Sequence, residues 1–128
     1  MKLINRGFTL LELLVVIGVI GALLSFITVS FTSTQKQGRD ARRREDLKAI
    51  QNALEQYYTQ NSFVYPTCAS GQPSNCAAIA TYFVGSAIPS DPLNTGSFVY
   101  NLTSASASYT LTARLEKDNS LVTVTNLQ

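Results

Sequence analysis

Glu12 is the residue whose chemistry most needs explaining. From Phe8 to Phe31 every other residue is apolar or small and uncharged, and a carboxylate in such a segment must be offset by a partner or a polar environment. A place one turn inside a helix N-terminus gives it some help from the helix dipole; a cation brought by another molecule is the stronger reason for its presence. Cys68 and Cys76 lie in a loop-like stretch rich in Ser, Gly, Pro and Asn. They are two free thiols or one disulfide; the loop setting favours the disulfide, and with it an oxidising compartment. Arg42, Arg43 and Arg44 form the one local basic cluster, but acids are interleaved with it, which favours a solvated helix face over a nucleic-acid patch. Asp91, Glu116, Asp118 and Asn119 carry oxygens that a hard cation such as calcium would accept, yet fewer than the roughly six to eight such an ion takes. No metal or cofactor is therefore expected. The chain has no His, so the usual acyl-transfer groupings are absent and an enzyme is not expected.

The elements that must position these residues follow from patterning. At 128 residues, 45% hydrophobic and 14% charged, the chain has the material of one folded domain rather than a disordered segment. Residues 1–7 are short, polar and basic, and the apolar run after them is long enough to span a bilayer, which takes roughly 20 helical residues. That run is also longer than an ordinary signal-peptide core and has no clear small-residue cleavage end. After Thr34 the pattern turns amphipathic: Leu47, Ile50, Leu54, Tyr57 and Tyr58 recur at helical spacing. No Pro precedes Pro66, so one helix is predicted from Phe8 to about Thr59, with Gly18, Gly21 and Gly38 its weak points. Its charged middle offers Asp40 to Arg44, Arg42 to Asp46 and Glu45 to Lys48 as pairs three or four residues apart.

Beyond it, Asn61 to Pro66 ends the helix and Thr67 to Asn75 is a loop bracketed by the cysteines. A short helix is expected over Ala77 to Val84. Three β-rich runs follow, Ser97 to Thr103, Ser108 to Leu115 and Leu121 to Thr125, with hairpin-sized links. The sequon Asn101-Leu102-Thr103 reads as strand sequence. Tyr57, Tyr58 and Tyr65 read as core-packing residues rather than an exposed aromatic track. The predicted class is α+β: a long N-terminal helix, half transmembrane and half amphipathic, packed on a small antiparallel sheet of about three strands.

The segment from Arg6 to Ile17, RGFTLLELLVVI, resembles the processing and assembly motif of type IV prepilins and type II secretion pseudopilins. The later segments Pro89 to Asn94, with Tyr100, and Tyr109 to Glu116 resemble the same family more loosely. The resemblance implies that a prepilin peptidase cuts after Gly7, that the new N-terminal Phe8 is N-methylated, and that Glu12 is needed for assembly. Cleavage would create a cationic amine on Phe8 for a neighbouring subunit's Glu12, and so fix the stagger between subunits. The implied organisation is a leader at 1–7, a transmembrane and filament-core helix at 8–34, an amphipathic continuation at 35–60 and a globular head at 61–128. The apolar helix lacks the Pro that many type IV pilins carry there.

The implied partners are further copies of the chain in a helical filament, the prepilin peptidase, an inner-membrane assembly platform and, for the precursor, the membrane itself; no direct nucleic-acid binding is expected. The implied location is a single-pass cytoplasmic-membrane precursor with its head outside, then a surface pilus or a periplasmic pseudopilus. Charge alone predicts otherwise. Two basic residues, Lys2 and Arg6, precede the apolar run and six follow it, Lys36, Arg39, Arg42, Arg43, Arg44 and Lys48, which by the positive-inside rule places the head in the cytoplasm. The remaining alternatives are a major or minor pseudopilin of a secretion or DNA-uptake system, and, in another class, a monomeric membrane-anchored binding protein.

Overall fold

The computed structural model describes residues 7–128, the side chains of residues 26–30 excepted. Most of the expected leader, including Lys2 and Arg6, lies outside the described residues. A single helix, α1 (Leu10–Gln60, 51 residues), precedes four strands: β1 (Cys68–Gly71), β2 (Asn101–Ala105), β3 (Ser108–Arg114) and β4 (Leu121–Thr125). The chain divides into two compact units, Met1–Gln35 and Lys36–Gln128.

In the first unit every described side chain is exposed, including large apolar ones such as Phe8 at 83% and Leu10 at 82%. So much uncovered apolar surface has no partner within the unit. Among the described residues no helix is long and apolar enough to cross a membrane; the expected span, 8–34, includes side chains outside the described residues.

In the second unit α1 buries Asp40, Arg43, Leu47, Ile50, Gln51, Ala53 and Leu54. Steps of three and four residues put these on one face. Leu47, Ile50 and Leu54 belong to the predicted stripe, and Tyr57 and Tyr58 are its partly buried rim. The same face continues through Asp40 and Arg43, where hydrophobic periodicity gives no warning of burial. The helix ends after Gln60, where Asn61 Nδ2 donates to the Tyr57 carbonyl at 2.8 Å. Ser62 and Phe63 then adopt positive φ, 57° and 59°, and the Phe63 amide donates to the Tyr58 carbonyl, satisfying carbonyls the last turn leaves open.

The sheet is an antiparallel meander in the order β1-β2-β3-β4. Leu102, Tyr109, Leu111 and Ala113 face α1 and close the core with Leu47, Ile50, Ala53 and Leu54, while Val122 and Val124 of β4 pack at its margin. The α+β class thus holds, with one strand more than expected. β1 comes from the presumed cysteine loop, paired to β2 at Cys68↔Ser104 and Gly71↔Leu102 with an irregularity between. Its residues, Cys-Ala-Ser-Gly, have little intrinsic strand preference; the disulfide and a bond from Ser104 Oγ to the Pro66 carbonyl, 2.6 Å, hold it in place.

Two other boundaries move. β2 begins at Asn101 rather than Ser97, because Thr95 and Phe98 form an isolated bridge and Tyr100 is turned into the core, its hydroxyl donating to Asp46 Oδ2 at 2.7 Å. The expected helix at Ala77 to Val84 is a 3-10 segment, Ala77–Tyr82, followed by a second short one, Val84–Ser86, interrupted by Gly85 at φ 65°.

Candidate functional site

Gly7, Phe8 and Thr9 precede the helix in non-helical backbone, and all three are exposed. Thr9 is the N-cap: its carbonyl accepts from the Leu13 amide. Its Oγ1 accepts from the Glu12 amide at 3.2 Å, while Glu12 Oε2 accepts from both the Thr9 amide and the Thr9 hydroxyl at 2.9 Å. This is a capping box, in which the Thr and the Glu three residues on satisfy each other's backbone donors. Glu12 therefore has a local role within its own chain, and one that its spacing from Thr9 makes legible. Gly7 and Phe8 lie five and four residues before Glu12, outside the helix.

A second cluster of charge lies inside the second unit. Arg43 is fully buried. Its Nε and Nη2 donate to the two oxygens of Asp91 at 2.7 and 2.9 Å, and its Nη1 donates to Asp40 Oδ1 at 2.8 Å and Glu116 Oε1 at 2.7 Å. Arg39 adds a bidentate pair to Glu116, at 2.7 and 2.6 Å. Asp40 also accepts the amides of Glu116 and Lys117, and Asp91 Oδ1 accepts those of Leu93 and Asn94. The Phe98 ring lies 5.2 Å from the Arg43 guanidinium carbon. One helical turn thereby grips both the Asp91 turn and the link between β3 and β4, using the planar fork that suits Arg to bidentate carboxylate pairing.

The electrostatic consequences follow from that geometry. The Arg39 bonds, reinforced by Arg43, hold the Glu116 carboxyl down at about 2 against the opposing effect of burial. Burial pushes Asp91 up, but Arg43 and the Leu93 amide outweigh it and leave its carboxyl below the usual range. Arg43 is raised by the Asp91 bonds against its own desolvation, and so stays charged.

The solvated reading of the arginine cluster is thus corrected at its centre. Arg42 and Arg44 are exposed; Arg43 points inward because three carboxylates from separate segments converge on it. Asp40 pairs with Arg43, three residues on, instead of Arg44, and Arg42 approaches Asp46 only to 4.0 Å. Of the oxygens considered for a cation, those of Asp91 and Glu116 are taken up by arginine, and Asp118 Oδ1 accepts from the amide and hydroxyl of Ser120. Among the described residues no group of carboxylates and cysteines is arranged to hold a metal ion.

Cys68 and Cys76 are joined in a disulfide with Cα atoms 5.2 Å apart. Tyr58 stacks on Tyr65 at 4.5 Å between centroids, and Tyr65 meets Tyr109 edge-on at 5.0 Å. The hydroxyls of Tyr65 and Tyr109 both donate to Glu55. Two of the tyrosines weighed as a track, Tyr58 and Tyr65, therefore pack against the core.

Comparison with known proteins bears on the N-terminal site. The family described as the prokaryotic N-terminal methylation motif matches residues 3–28. The chain is similar to the type II secretion system core protein G of Vibrio cholerae, 38% identical over 67 residues, which are 52% of this chain and 45% of that one. The core protein G of Escherichia coli is 38% identical over 70 residues, 55% of this chain and 48% of its own length. The type IV major pilin protein PilA of Myxococcus xanthus is 32% identical over 56 residues, 44% of this chain and 26% of PilA. The chain thus spans less than half the length of these curated relatives, and no solved structure matches it. The methylation motif thus lies across the Gly7-Phe8 junction and Glu12, and over about half its length the chain is similar to type II secretion core protein G and, over somewhat less, to a type IV pilin.

Proposed function

We propose that the chain is a structural subunit of a type IV pilus or pilus-like filament, cut after Gly7, N-methylated on Phe8, and assembled through the apolar helix at 8–34. The observation that carries this is the methylation motif at residues 3–28, laid over an exposed, non-helical Gly7-Phe8 junction directly before the helix. A peptidase needs accessible backbone outside a helix, and the exposed, non-helical state of that junction supports the reading. Cutting there frees an amine on Phe8, four residues before Glu12.

In assembly the Phe8 amine of one subunit pairs with Glu12 of the next. The Thr9-Glu12 box gives the carboxylate its donors until that amine arrives. The exposed apolar side chains of the first unit supply the packing, since helices stripped of lipid bury that surface against one another. The head, residues 61–128, stands outside the cytoplasmic membrane in the precursor. The prepilin peptidase and an inner-membrane assembly platform are the expected partners.

Mass spectrometry of the mature N-terminus tests the processing: a chain beginning at methylated Phe8 is expected, and one beginning at Met1 refutes it. Glu12→Ala is expected to insert and be cleaved yet yield few filaments by electron microscopy; a normal filament yield would remove Glu12 from assembly. A second reading, a pseudopilin of a type II secretion system, is favoured by the core protein G relatives at 38% identity. It predicts a short periplasmic filament and loss of protein secretion, rather than of surface pili, when the chain is deleted.

A further inference from the structure

The buried cluster has a consequence at the surface. Without Lys2 and Arg6 the side chains balance, eight basic residues against eight acidic, but the fold does not distribute them evenly. Asp40 and Asp91 are buried, and the Glu116 side chain is only 6% exposed. The Asp46 side chain, 15% exposed, accepts the Tyr100 hydroxyl, and Glu55 accepts Tyr65, Tyr109 and the Leu127 amide. On the cationic side, Arg43 is buried and Arg39 is held by Glu116.

Among the described residues of the second unit, this leaves Lys36, Arg42, Arg44 and Lys48 exposed along one stretch of α1, with Glu45 the one exposed acid on that stretch; Asp118, exposed on the link after β3, acts electrostatically on Arg44, and Arg42 lies 4.0 Å from Asp46. Arg44 and Lys48 are one turn apart on one flank, and helical spacing puts Arg42 on the opposite flank. The stretch from Lys36 to Lys48, six basic residues to three acidic in sequence, thus keeps its basic excess at the surface as a collar of four cations to one acid.

We propose that this collar binds the anionic headgroups of the membrane leaflet in which the helix at 8–34 is embedded. The inference rests on the membrane reading of that helix. Lys36 is the second residue after Thr34, and Lys36 to Arg44 spans about 12 Å at the α-helical rise. That is close to the depth over which a charged surface acts, about 8 to 10 Å at physiological ionic strength. Cations placed on both flanks of a helix suit a surface that surrounds it, whereas a one-sided ligand would want them on one face. A basic residue held at an anionic leaflet gains roughly fivefold in partition.

The collar also accounts for the topology conflict: these cations follow the apolar run because they serve the leaflet on the head's side.

The test uses the full chain, purified in detergent and offered at once to vesicles of phosphatidylcholine alone and vesicles of equal parts phosphatidylcholine and phosphatidylglycerol, separable by density. The expected result is a preference for the phosphatidylglycerol vesicles of tenfold or more at low salt, abolished at high salt and in Lys36→Gln/Arg42→Gln/Arg44→Gln. That variant changes exposed side chains alone, and unchanged near-ultraviolet circular dichroism would verify its fold. Equal partition of the unaltered chain, or an undiminished preference in the variant, overturns the headgroup site and leaves the membrane helix standing. Flotation with neither vesicle overturns both. Salt-sensitive retention on duplex DNA with equal vesicle partition overturns the proposal in favour of a nucleic-acid surface.

Discussion

Replacing Arg43 by Met tests the account of the buried cluster most directly. Met keeps much of the volume but removes the cation and four hydrogen bonds to three carboxylates. The loss does not fall equally on the three. Glu116 keeps both bonds from Arg39, and Asp40 keeps the amides of Glu116 and Lys117. Asp91, its side chain wholly buried, keeps only the amides of Leu93 and Asn94 and has no remaining cation partner. One uncompensated buried carboxylate is the situation that costs about 3–5 kcal/mol, a large part of the roughly 5–15 kcal/mol that holds a domain folded.

Asp91→Asn removes that charge while leaving an oxygen for the turn amides, so Arg43→Met/Asp91→Asn is expected to recover more than half of the loss. Urea unfolding of the detergent-solubilised chain, followed through the near-ultraviolet signal of its tyrosines, gives the four stabilities of the cycle. A coupling of at least about 2 kcal/mol between the sites is expected. Arg43→Met costing less than about 1 kcal/mol, or two additive effects, would refute the claim that one guanidinium holds the Asp91 turn and the β3–β4 link to the helix.

The cluster also predicts the acid limit. Glu116 and Asp91 are depressed in the fold, Glu116 to about 2, so what they contribute is fully present above the unfolded carboxylate value of about 4.5 and is lost as pH falls towards 2; a melting temperature flat between pH 3 and 5, on the order of that window, would contradict it. At the other end, burial and the bond to Glu55 raise Tyr65 to about 12, and Tyr109 moves the same way for the same two reasons. Their contribution is fully present below the unfolded tyrosine value of about 10 and is lost as pH climbs through it. Ultraviolet titration of tyrosinate is expected to coincide with unfolding rather than precede it. Cys68→Ser/Cys76→Ser, which opens a loop of sequence separation 8, is expected to cost about 2 to 3 kcal/mol by the chain-entropy relation, read from the same urea curves; hydrogen exchange is expected to rise first at Ser104 and Leu102, the β2 partners of β1.

Much of this protein was legible without coordinates, because local rules set it. An apolar run and then a stripe at helical spacing demand a long helix, and α1 runs from Leu10 to Gln60. Alternation and turn residues mark β3 and β4 almost to the residue. Gly7-Phe8 with Glu12 is a motif that needs no fold to be read, whereas the cap that Thr9 forms with Glu12, which starts the helix at Leu10 rather than Phe8, is missed by a reading that credits the helix dipole, although its spacing is a cap signature. What only the tertiary structure decided are the features that depend on residues far apart in sequence. β1 has no strand preference of its own and exists because a disulfide and Pro66 hold it beside β2. Arg43 has the neighbours of a solvated arginine and becomes a buried one because Asp91 and Glu116 arrive from 48 and 73 residues away. The basic excess of residues 36–48 is local and legible in the sequence, whereas which of its cations reach the surface was decided by the carboxylates that the fold brings to Arg43 and Arg39.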